Sequence, residues 1–101
     1  MQQQRPPYAA ALQSNDPTLS EWVSSGREFI ITDGALSAKV KTLMTMLCDA
    51  LLAHPDGVRT IANRARAMGA TEEEIAETIR VAMWMGGLPA LVTGTNAYKD
   101  E

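Results

Sequence analysis

Cysteine and histidine each occur once in this chain of 101 residues, and the aromatics are two tryptophans, two tyrosines and one phenylalanine. A lone cysteine excludes an intramolecular disulfide and any reaction in which one thiol of the chain resolves another. The one histidine stands in no Ser–His–Asp signature, and Asp49, His54 and Asp56 form no recognised metal-ligand spacing. No glycine-rich phosphate loop is present, so neither metal nor cofactor is expected. Basic residues are outnumbered, giving a formal charge of −3, which disfavours nucleic acid as a partner because phosphate binding needs a basic surface. No apolar run approaches the ~20 residues that span a bilayer, so no membrane partner is expected. The opening MQQQRPPY carries no apolar segment after its charge and does not read as a secretory signal. With the single thiol, this points to the cytoplasm.

What is present suits helices. Hydrophobic residues make up 46%, mainly Ala, Leu, Ile, Val and Met, which favour helices over a β-sandwich. The length allows one domain. Residues 1–7 read as a polar, proline-containing arm and residues 8–101 as a single helical domain of about five or six helices. Tyr8 to Leu12 suggests one helical turn before Ser14, Asn15 and Asp16 interrupt it. Asp16 followed by Pro17 is a helix start, and that helix carries Leu19, Trp22, Val23, Phe29 and Ile30 before Asp33-Gly34 turns the chain.

Ser37 can cap the next helix, which is predicted to run to about Ala53 with Leu36, Val40, Leu43, Leu47 and Leu51 on one face. Met44, Met46, Cys48, Ala50 and Leu52 make much of the remainder apolar, and Asp49 is its only charge after Leu43. A helix apolar nearly all round is buried on several sides, which predicts a homo-oligomer. His54 precedes Pro55, which ends the helix. The following helix presents Val58, Ile61, Ala62, Ala65 and Met68, and stops at Gly69. Thr71 to Glu74 is a capping-box sequence, followed by Ile75, Ile79, Ala82 and Met83. Gly86-Gly87 breaks that helix, and Pro89 opens a last one through Leu91, Val92 and Tyr98.

Three pieces recur in order: Leu36-Ser37-Ala38-Lys39-Val40-Lys41, then Gly69-Ala70-Thr71 with Glu73-Glu74-Ile75 and Glu77, then Gly86-Gly87-Leu88-Pro89-Ala90. Together they resemble the carboxymuconolactone decarboxylase and alkylhydroperoxidase D-like family, over a little more than half of the chain. The resemblance implies a small all-α protein that buries long apolar helices in trimers or hexamers. In the family's peroxidase branch a Cys-x-x-Cys-x-x-x-His motif lies between the first two pieces. Placed from Lys41 forward and from Gly69 backward, its positions coincide without a gap on His54, Gly57 and Ile61. The branch's relay glutamate falls on Thr42. All four relay positions are therefore substituted, and His54, Gly57 and Ile61 can form neither the nucleophilic nor the resolving thiol.

The residues left for chemistry are few. His54 reads either as a general base or acid binder, or as a junction residue that caps the backbone. Asp49 reads as an acid–base group, or as the partner of an arginine such as Arg64, Arg66 or Arg80. Cys48 reads as a sensor thiol or as a packed small hydrophobe. Met44, Met46, Met83 and Met85 with Trp84 read as pocket lining or as core and interface packing. Arg59, Arg64 and Arg66 read as carboxylate ligands or as a solvated face. Three functions stay open: a decarboxylase-like enzyme acting on a small organic acid or lactone at a subunit-interface pocket, with His54 as the acid–base group and Asp49 or an arginine assisting; a redox protein using Cys48 with an external thiol; and a non-catalytic oligomer that binds a small apolar or acidic ligand or a partner protein.

Overall fold

The computed structural model describes residues 8–99, and the expected arm over residues 1–7 lies outside them. The chain is all-α: α1 (Tyr8–Asn15), α2 (Pro17–Ile31), α3 (Ala38–Leu51), α4 (Pro55–Ala67), α5 (Glu72–Gly86) and α6 (Leu88–Gly94), closed by a 3-10 turn, Thr95–Ala97. Local chemistry sets most boundaries. The Asp16 carboxylate accepts from the backbone of Leu19 at 3.0 Å, and Ser37 Oγ accepts from Val40 at 3.1 Å. The Thr71–Glu74 box closes on both sides, with Thr71 N donating to Glu74 Oε1 at 2.9 Å and Glu74 N to Thr71 Oγ1 at 3.0 Å. Each bond satisfies a donor that the first helical turn leaves free. Two boundaries move: α1 continues through Ser14 to Asn15, whose side-chain amide donates to the Ala11 carbonyl at 2.8 Å, and the last helix ends at Gly94, short of Tyr98, where the 3-10 turn takes over.

Helix α3 packs against α4, α5 and α6, and the core lies among them. Leu43, Met46, Ala50, Val58, Ala62, Ala65, Ala70, Ile75, Ile79, Ala82 and Ala97 form it. Alanine supplies most of these, so the helices approach closely and bury modest area per residue. Gly86 allows one such approach: a Cβ there would meet Leu51 Cδ2 at 2.5 Å and Ala90 Cβ at 2.8 Å. Gly87, at φ 77°, then turns the chain into α6. The Gly-Gly break is thus a packing requirement followed by a backbone requirement.

The α3 stripe differs from the sequence expectation. The buried residues are Thr42, Leu43, Met46 and Ala50, while Val40, Met44, Leu51 and Leu52 are exposed in the single chain. Two further apolar sets face outward, Trp22, Phe29 and Ile30 on α2 and Val81, Trp84, Met85, Leu88 and Val92 on α5 and α6. Helices α1 and α2 pack on each other and bury no residue fully. No helix among the described residues is long and apolar enough to cross a membrane.

Candidate functional site

The site begins at the turn that ends α3. His54 N donates to the Asp49 carbonyl at 2.9 Å and Ala53 N to the Ala50 carbonyl at 3.4 Å. With Ala53 at φ 61°, this is the Schellman pattern, in which a left-handed residue lets the chain reach back over the last helical turn. Residue 54 therefore lies against residue 49, and His54 Nδ1 stands 3.4 Å from Asp49 Oδ1. That is long for a hydrogen bond and within reach of tightening when a ligand orders the ring. The Asp49 side chain is 24% exposed and His54 61%. A carboxylate beside Nδ1 favours the tautomer in which Nδ1 carries the proton, leaving the Nε2 lone pair available.

An open groove of about 490 Å³ holds this pair, with walls formed by Tyr8, Arg27, Asp49, His54, Asp56, Gly57, Thr60, Ile61 and Arg64. A second groove of about 450 Å³ runs beneath the α1–α2 hairpin past Leu12, Val23, Ile31, Ala38 and Met68, and shares Tyr8, Arg27 and Arg64 with the first. None of the ion pairs among the described residues engages Arg27 or Arg64.

Arg59 and Arg66, by contrast, are occupied. Arg66 donates from Nε and Nη2 to the Glu72 carboxylate at 2.7 and 2.8 Å, from Nη1 to Asn63, and from Nη2 to the Ala97 carbonyl. This clamp ties α4 to the start of α5 and to the 3-10 turn. The hydrogen bond from Arg66 holds the Glu72 carboxyl below its usual range, and Glu72 in turn raises the guanidinium. Arg59 Nη2 donates to Asn96 Oδ1 at 2.6 Å. Of the three arginines that the sequence singles out, only Arg64 faces the groove. Asp49 pairs with His54 rather than with Arg64, Arg66 or Arg80.

The four relay positions divide. His54, Gly57 and Ile61 line the groove, Ile61 also packing against the core. Thr42 does not: it is 2% exposed and its hydroxyl donates to Met68 Sδ at 3.4 Å. Cys48 is exposed and lies outside the walls of both grooves. Met46 is core, while Met44, Met83, Trp84 and Met85 are exposed. Among the described residues, no three metal-binding side chains gather. Sequence reasoning did not single out Tyr8 and Arg27. Both reach the groove from α1 and α2, which stand across it from α4, and no local pattern marks either one.

Comparison with known proteins agrees with this architecture. No curated protein sequence matches the chain. Among solved structures, the apo form of a carboxymuconolactone decarboxylase family protein from Legionella pneumophila is similar, with a TM-score of 0.82 and 31% sequence identity over 87% of this chain and 79% of that one. The model of the carboxymuconolactone decarboxylase family matches residues 17–100. On that extent of match, joined to the helical fold, the chain belongs to the carboxymuconolactone decarboxylase family.

Proposed function

We propose that the groove takes a small carboxylate-bearing organic acid or lactone, and that the His54–Asp49 pair moves a proton on it. One observation carries this reading. Two arginines without a carboxylate partner among the described residues, Arg27 and Arg64, share a groove with the chain's one histidine and the carboxylate beside it. Guanidinium groups in a partly enclosed groove favour a planar anion through paired, charge-assisted hydrogen bonds. Asp49 holds the Nδ1 proton of His54, and Nε2 is the atom that gives or takes the substrate proton.

For a decarboxylation, the bond between the substrate carbon and its carboxylate breaks and CO2 leaves. The electron pair spreads onto a conjugated carbonyl, and protonated His54 delivers a proton to carbon. A proton taken up from solvent, the one that decarboxylation consumes, then reprotonates His54. The outward apolar sets on α2, α5 and α6 support assembly with further copies of the chain as a trimer or hexamer, which would narrow the open groove. The cytoplasm suits its single free thiol. Peroxide reduction would rest on Cys48 alone, outside the groove and without a second thiol.

The test is a thermal-shift and calorimetric screen of small acids and lactones, followed by turnover assays. Arg64→Ala should weaken acid binding by about 10- to 100-fold, the loss of one charge-assisted contact. His54→Ala should retain binding and lose turnover. If no acid or lactone stabilises the protein, or Arg64→Ala binds as wild type, the reading fails.

A further inference from the structure

Gly57 occupies the first turn of α4, where a glycine is hard to explain from the backbone. The glycines with positive φ are Gly69 and Gly87, not Gly57, so no left-handed conformation requires it. Glycine is also among the poorest helix formers. The explanation lies in space. A Cβ at this position would run into Asp49 Oδ2, come to 3.0 Å from Asp49 Cγ, and lie 3.6 Å from His54 Cβ. The Asp49 carboxylate fills the volume that any side chain at residue 57 would need.

We propose that Gly57 is a positioning residue: its missing side chain lets the Asp49 carboxylate settle on the first turn of α4 and hold the His54 ring. Residues 49 and 57 compete for one volume, so a side chain at 57 would displace the Asp49 carboxylate from this place. The location suits an anion, since the start of α4 presents the positive end of the helix dipole. Arg27 and Arg64 line the same groove, as does Asp56 in the first turn of α4, which lies 3.6 Å from the Arg59 guanidinium. By resemblance, residue 57 is where the family's peroxidase branch carries its second thiol. The use of this pair in turnover rests on the acid-binding reading, but its geometry does not.

The experiment is a double-mutant cycle on the full-length protein without ligand, read by melting temperature and by the 15N shifts of the His54 ring at a pH where the ring is neutral. In the wild type Nδ1 should carry the proton. Gly57→Ala should move the ring toward the Nε2-protonated form and lower the melting temperature. Asp49→Ala should move the ring in the same way. In the Asp49→Ala background the volume is empty, so Gly57→Ala should now raise the melting temperature and leave the ring unchanged. A reversal of sign between the two backgrounds supports the proposal. Equal thermal effects in both backgrounds, or a Gly57→Ala protein with the wild-type tautomer, overturns it. A normal cycle in a protein that binds no acid would defeat the acid-binding reading alone.

Discussion

Ala53 and Gly69 do the same job at the ends of successive helices, and only one of them is suited to it. Ala53 sits at φ 61° after α3, and Gly69 at φ 97° after α4. Each is followed by a residue that donates back across the turn, His54 to Asp49 and Ala70 to Ala65, both at 2.9 Å. A left-handed conformation costs an L-residue about 1–2 kcal/mol. Glycine avoids that cost but gives up about 0.5–1 kcal/mol in unfolded-chain entropy relative to alanine. Ala53 is exposed, so removing its methyl forfeits little packing. Ala53→Gly should therefore stabilise the fold by about 0.5–1 kcal/mol. At a urea m-value of about 2 kcal/mol/M, the unfolding midpoint should rise by roughly 0.3–0.5 M with m unchanged. The control is Gly69→Ala. No atom lies within 4 Å of a Cβ at residue 69, so only the backbone term acts and the midpoint should fall by a similar amount. A drop in midpoint for Ala53→Gly would refute the assignment of strain to this turn, and with it the account of how His54 is brought to Asp49.

Acid sensitivity follows from two carboxylates at the start of α5. Hydrogen bonds from the Thr71 backbone and the Lys39 ammonium hold Glu74 below its usual value of 4.5, and a hydrogen bond from Arg66 does the same for Glu72. Their folded values are depressed, so the stabilisation is present above the unfolded value and is lost as pH falls through the lower folded values. Melting temperature should decline on acidification below about pH 5; Glu74→Gln should make the decline shallower, and an unchanged profile would remove Glu74 from the cause. Trp84, 81% exposed in the single chain, should be covered in the assembly. Wild type should elute as an oligomer in size-exclusion chromatography with light scattering, and Trp84→Arg should shift it toward monomer; a monomeric wild type would refute the proposed assembly.

What could be read from the sequence divides along physical lines. The caps at Asp16, Ser37 and Thr71 are visible because each needs only its own side chain and a backbone donor within a few residues. The orientation of α3 is not. With Val40, Leu43, Met44, Met46, Leu47 and Leu51 spread around the helix, the apolar pattern has no clear phase. The choice of Thr42, Leu43, Met46 and Ala50 as the inner face belongs to tertiary packing. His54 and Asp49 are each visible as isolated oddities, but their pairing depends on a left-handed residue at 53. Alanine gives no hint of that conformation, where glycine would have. The groove arginines show the same limit: Arg59, Arg64 and Arg66 are equivalent in sequence, and Asn96 and Glu72 separate them.

The four substituted relay positions also make physical sense as a set. Thr42 lies at the centre of the bundle, its hydroxyl satisfied only by the Met68 sulfur. A glutamate there would bury a charge, which is costly without a cationic or hydrogen-bonding partner. In the peroxidase branch, as the resemblance places it, that glutamate acts with a histidine at residue 61, and here Ile61 packs against the core instead. Replacing both together leaves no buried charge unpaired. Replacing only one would strand the other. Asp49 and His54 meet instead across the α3–α4 turn, where their partial exposure lets water share the solvation of both. An uncharged interior at Thr42 and Ile61 is compatible with the proposed site, whose ionisable groups are at 49 and 54, and a side chain at 57 would meet the Asp49 carboxylate.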